Sequence, residues 1–75
     1  MTKIESVLIF IQSKKCVTTS ELLEFAIKNN ISRAYLNNIL SHLARSNYII
    51  RSWTTVNGKK QRKYCINPEK QIPFS

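Results

Sequence analysis

Two stretches of this 75-residue chain hold side chains whose types and spacing could do chemistry. From Ser32 to Arg45 the polar positions are Ser32, Arg33, Asn37, Asn38, Ser41, His42 and Arg45, with no carboxylate among them. From Lys59 to Lys63, four cations fall in five residues: Lys59, Lys60, Arg62 and Lys63. An ordinary solvated helix face mixes Glu with Lys. A face of hydroxyls, amides and guanidinium groups without acids suits an anion or base edges, and clustered cations attract polyanions.

Catalysis finds little to use. The chain has four Asp/Glu, one His and one Gly, and no group of residues at metal-ligand spacing. A single Gly also excludes a phosphate-cradling loop. The expectation is a non-enzyme with no metal and no cofactor. His42, alone on a polar face, reads as a plain exposed histidine, ahead of a phosphate contact or a metal ligand.

Composition bounds the rest. A chain of this length forms one small domain, which buries only roughly 60% of its unfolded surface. Hydrophobic residues make up 43%, ordinary for a folded domain. The net charge is +8, and it is unevenly placed. Residues 1–50 carry six Lys/Arg and three Glu, or +3, and residues 51–75 carry six Lys/Arg and one Glu, or +5. Apolar runs fall far short of the ~20 residues of a membrane span, and no export signal is legible. Cys16 and Cys65, 49 positions apart, do not make a disulfide scaffold. A reduced, cytoplasmic protein is expected.

The elements that must position the two stretches follow from periodicity. Ile4, Val7, Leu8 and Ile11 recur on one helical face, and Thr2 with Glu5 reads as a capping box. Ile9 and Phe10 widen the apolar surface, either completing the core or serving a dimer contact. Thr18 and Glu21 form a second capping box, with Val17 and Leu22 at the spacing of a hydrophobic staple. Leu22, Phe25 and Ala26 should face the core, with Leu23 and Ile27 beside them. Cys16–Val17 reads as a short extended piece, and Asn29–Asn30 as the helix end. Ser32 is a good N-cap for a third helix, whose buried stripe is Leu36, Ile39, Leu40 and Leu43. Strand formers then lead to Asn57–Gly58, the strongest short hairpin signal. Pairing Val56 with Lys59 sets Trp53 opposite Arg62, Arg51 opposite Tyr64 and Ile49 opposite Ile66. One face, with Ile49, Trp53, Tyr64 and Ile66, should pack on the helices. Ser52, Thr54, Gln61 and Lys63 are left for solvent or a partner. Trp53 and Tyr64 are therefore read as core, with base stacking as the alternative. Asn67–Pro68 suits one capped turn, and Pro73 stops anything longer.

This order, carried by "VTTSELLEFAIKNNISRAYLNNILSHLARSNYIIRS" and a hairpin ending "RKYCI", resembles the winged helix-turn-helix family over about residues 3–66. That family often has Gly at the bend after its third helix, where this chain has Asn47. The resemblance implies an α+β, mainly α fold: three helices followed by a β-hairpin wing. It implies a DNA-binding domain over residues 1–67 and a tail over 68–75. It further implies a transcriptional regulator, with a recognition helix at about 32–46 in the major groove. The basic wing, 51–66, would lie on the backbone or in the minor groove. Carried over by position, Ser32, Arg33, Tyr35, Asn37, Asn38 and Ser41 are base- or phosphate-facing candidates. Tyr35 is equally a core-rim residue. Thr19 and Ser20 open the second helix, where an anion is favoured, and Lys59, Lys60, Arg62 and Lys63 supply the wing. The partner would be double-stranded DNA, bound as a repressor-type homodimer or by cooperative assembly. Helix 1 or the tail through Phe74 is then the dimer surface. In winged folds the strand before helix 2 pairs with the returning wing strand, which would bring Cys16 and Cys65 together. A redox disulfide there stands against the plainer reading of two small buried thiols. A winged-helix protein-interaction module and an RNA-binding winged helix are the alternatives, and a membrane-surface role fits least.

Overall fold

The computed structural model describes residues 2–70. The elements run α1 (Lys3–Lys14), β1 (Cys16–Thr18), α2 (Thr19–Lys28), α3 (Arg33–Arg45), β2 (Ile49–Val56) and β3 (Lys59–Ile66). Among the described residues three helices thus accompany one three-stranded antiparallel sheet of order β1-β3-β2, an α+β arrangement in which helix outweighs strand. Pro73 and Phe74 of the expected tail lie outside the described residues.

Each helix starts where a side-chain oxygen can satisfy free backbone donors. Thr2 Oγ1 accepts from the Glu5 N–H at 3.2 Å, and the Glu5 carboxylate accepts from the Thr2 N–H at 3.4 Å. Thr18 and Glu21 repeat the exchange at 3.4 and 3.0 Å. Ser32 Oγ accepts from the Tyr35 N–H at 3.1 Å. A single cap of this kind is worth ~1 kcal/mol, so these three fix the helix starts against fraying. Val17 and Leu22, at staple spacing, are both buried.

The hairpin register is the expected one at every position, from Ile49 opposite Ile66 to Val56 opposite Lys59. Asn57 and Gly58 both take positive φ, at 53° and 77°, as a type I′ turn requires. Asn47, at φ 63°, supplies the left-handed bend between α3 and β2. β3 is central only in part. Lys63, Tyr64 and Cys65 pair with Thr18, Val17 and Cys16 on one side and with β2 on the other. Lys59–Arg62 pair with β2 alone, so the outer hairpin is a two-stranded ribbon.

The core sits between the helices and one sheet face. Val7, Leu8 and Ile11 of α1, Leu22 of α2 and the four-residue stripe of α3 meet Val17, Ile49 and Tyr64 there. Two expectations fail at its rim. Trp53 shares a sheet face with Tyr64 yet is 61% exposed, because the helical layer ends before the ribbon does. Ile27 is 77% exposed. It lies five residues after Leu22, about 140° round the helix, where nothing packs. Phe10 completes the core, its ring stacked on Phe25 at 4.4 Å. After β3 the chain folds back: Asn67 donates through its N–H to the Tyr48 carbonyl at 2.9 Å and through Nδ2 to the Asn47 carbonyl at 2.8 Å.

The cysteines meet as the implied pairing of β1 with β3 requires, and the plainer reading of them as two buried thiols fails. They stand directly opposite across β1 and β3 and are joined as a disulfide. They lie on the sheet face turned from the core, with Cys16 exposed, so they are not two buried thiols.

Candidate nucleic-acid interface

Helical geometry sorts the polar residues of α3. Ala34, Asn38, Ser41 and Arg45, spaced i, i+4, i+7, i+11, run along the line opposite the buried stripe. Arg33 and Asn37 form one shoulder, and Tyr35 and His42 the other. All eight are exposed. The Ser32 hydroxyl oxygen is engaged as the cap, so what remains free is its own O–H. Tyr35 is 40% exposed, and the Lys3 ammonium lies 5.7 Å from its ring centre, so it stands at the rim towards α1. Arg45 occupies the centre of the polar line as fully as Asn38 does. Its i+4 spacing from Ser41 is the sequence signal that adds it to the candidates Ser32, Arg33, Tyr35, Asn37, Asn38 and Ser41.

The start of α2 is bound to the hairpin. Thr19 Oγ1 donates to the Arg62 carbonyl at 3.1 Å, and Ser20 Oγ donates to Gln61 Oε1 at 3.0 Å. Their hydroxyls are thus engaged within the fold. What they offer an anion is the backbone N–H groups of the first helical turn, which have no intrahelical acceptor. These two hydrogen bonds and the β1–β3 ladder hold the basic strand against the helices.

The hairpin cations divide between two faces, since directly opposed residues share a face and neighbours alternate. Lys60 and Arg62 fall on the face of Arg51, Trp53 and Tyr64. Lys59 and Lys63 fall on the other, with Gln61. Lys59 and Lys60 are exposed, while Arg62 and Lys63 are half-buried. Burial pushes the Tyr64 phenol above its ordinary pKa of 10.0, and the nearby Arg62 and Arg51 guanidinium groups oppose that rise. Neither α3 nor the hairpin carries an acid: the four carboxylates are Glu5, Glu21, Glu24 and Glu69, with Glu21 in the first turn of α2. Two of them are held in helix caps.

Among the described residues no three His, Cys, Asp or Glu side chains gather as metal ligands, and no helix is long and apolar enough to cross a membrane.

Comparison with known proteins adds a lineage to this geometry. A family model described as "Sulfolobus plasmid regulatory protein" matches residues 1–72. Among solved structures the chain is similar to Stf76 from the Sulfolobus islandicus plasmid-virus pSSVx, with a TM-score of 0.75 and 27% sequence identity. That match covers 89% of this chain and 83% of the other. A search of curated proteins found no match.

Proposed function

Because the chain belongs to the Sulfolobus plasmid regulatory protein family, we propose that it is a sequence-specific double-stranded DNA-binding protein of winged helix-turn-helix type. In this reading residues 1–67 are the DNA-binding unit and the protein regulates transcription. One observation carries it: an acid-free helix face and an acid-free basic ribbon are locked together through α2 and the shared strand β3.

The mechanism follows from the donors. α3 enters the major groove with Arg33, Asn37, Asn38 and Ser41 towards base edges, where Arg suits guanine and Asn suits adenine. Ser32, Tyr35 and the N–H groups at Thr19 and Ser20 meet phosphates. Lys59, Lys60, Arg62 and Lys63 track the backbone or the adjacent minor groove. If about five cations neutralise phosphates, log K falls with log salt at a slope of roughly −4 to −5. A palindromic operator would pair two copies as a repressor homodimer, and a monomer could instead assemble cooperatively along DNA.

A gel shift on random duplex at low salt tests the reading, and absence of a shift at micromolar protein sinks it. Operator selection from random DNA then tests the roles within α3. Replacing Asn38 by Ala should relax preference at one base pair, by about 1–3 kcal/mol of discrimination. Equal weakening on all sequences would remove Asn38 from base reading.

A further inference from the structure

The outer hairpin displays an aromatic ring that the core does not use. Trp53 is 61% exposed, and the Arg62 guanidinium lies 4.6 Å from its ring centre, from the directly opposed position on β3. Arg51 precedes Trp53 by two residues on the same face. The Thr55–Lys60 pair follows towards the turn. The result is a flat indole, backed by a cation and flanked by two more. An exposed indole leaves apolar area in water without return from folding. Its neighbours make it unsuited to another apolar surface, since docking there would strip water from Arg51, Lys60 and Arg62 with no counter-charge. The chemistry that fits is a planar ring attached to an anion, which is a nucleotide.

We propose that Trp53, braced by Arg62, is a stacking platform for an unpaired base, and that the protein binds single-stranded DNA here in addition to duplex. The partner class rests on the nucleic-acid reading above, while the platform is a separate claim. An unpaired base is favoured over one in a duplex because duplex bases already have both faces covered. Inserting a side chain between them costs as much as one stacking contact returns. The cation over the indole adds attraction to the ring and holds it in place. Arg51 and Lys60 are placed for the flanking phosphates.

Trp53 is the single tryptophan of the chain, so its emission reports directly on the platform. The experiment uses the full chain with two probes, a short oligothymidylate and a random-sequence duplex. Oligothymidylate should quench the emission and shield it from acrylamide. The Trp53→Ala variant should bind oligothymidylate about 5- to 150-fold more weakly, the range of one base stacked on an aromatic ring. Trp53→Phe should recover most of that loss, and duplex affinity should stay within about twofold, since stacking is sequence-tolerant and confined to open bases. Circular dichroism checks that both variants keep the fold. Unchanged emission on saturation with oligothymidylate, or unchanged single-strand affinity in Trp53→Ala, overturns the platform. So does an equal loss on duplex and single strand. Duplex binding by a protein that ignores oligothymidylate defeats the platform and leaves the duplex reading standing. Failure to bind either probe removes both.

Discussion

Tyr64 and Trp53 share one sheet face and meet different fates, and the difference has a pH signature. Tyr64 lies under the helices, 8% exposed, with Arg51 opposite and Arg62 two residues before it. Burial raises its pKa above 10.0, against the pull of the Arg62 and Arg51 charges. A folded pKa above the unfolded one means that the native state holds the phenolic proton more tightly. The resulting stabilisation is fully present below the unfolded value and is lost as pH rises through the folded value. Denaturation midpoints measured from neutral pH to above 10.0 should therefore fall more steeply for the native chain than for Tyr64→Phe. Parallel profiles for the two proteins would show that the phenol ionises as freely folded as unfolded. Every other ionisable group is common to both chains and drops out of the comparison.

At the scale of elements, local chemistry was legible and reach was not. Thr2–Glu5, Thr18–Glu21 and Asn57–Gly58 act within a few residues, so their types and spacing suffice to place two helix starts and a turn. The hairpin register follows from that turn alone. Nothing local says how far along the ribbon the helices extend, which is why Trp53 could be assigned to the right face and the wrong environment. Lys15 illustrates the same limit. Its type suits a helix C-terminus, but the structure holds it at φ 70°, where L residues are disfavoured, and its carbonyl accepts from the Ile66 N–H at 2.8 Å. That conformation answers to β3, about two-thirds of the chain away. Among the candidate residues, α3's exposed line was readable from its period. The engagement of Thr19 and Ser20 with β3 was not, since it depends on where the hairpin docks. Gly58 lets the turn be tested by itself. A Cβ there would meet nothing within 4 Å, so Gly58→Ala carries only the cost of φ +77°. That cost is about 1–2 kcal/mol, to be read as a lowered urea midpoint with an unchanged slope. A midpoint equal to the native one would mean that the ribbon changes turn type without loss.

For the molecule as a whole, the question is what holds so small a core against the entropy of the chain. A domain of this size has little margin: net stabilities run at about 5–15 kcal/mol, and short chains stand at the lower end. The Cys16–Cys65 bond closes a loop across a sequence separation of 49. In the chain-entropy account that is worth about 4 kcal/mol, and less where the open chain keeps some structure. It is therefore comparable with the whole remaining stability. The bond also lies where solution chemistry reaches it. Cys16 is exposed, and both cysteines border an open groove of about 510 Å³ beside Lys15 and Lys70. Reductant needs no prior unfolding to attack there, and the two lysines favour thiolate approach and thiolate release. The Cys16→Ser, Cys65→Ser double variant should unfold at a urea midpoint lower by about 2–4 kcal/mol in stability. The native chain in reductant should fall to nearly the same midpoint, and the double variant should ignore reductant. A thiol titration that finds two free thiols in air, with no response of the midpoint to reductant, would assign all the stability to the core. Short of unfolding, the ribbon should keep its place when the bond opens, because Val17 opposite Tyr64 remains buried and Thr19 still holds the Arg62 carbonyl. Duplex affinity at low temperature should then change far less than the midpoint does. The bond thus supports the temperature range over which the fold, and with it the proposed interface, persists, while the packing around Tyr64 holds the ribbon against the helices.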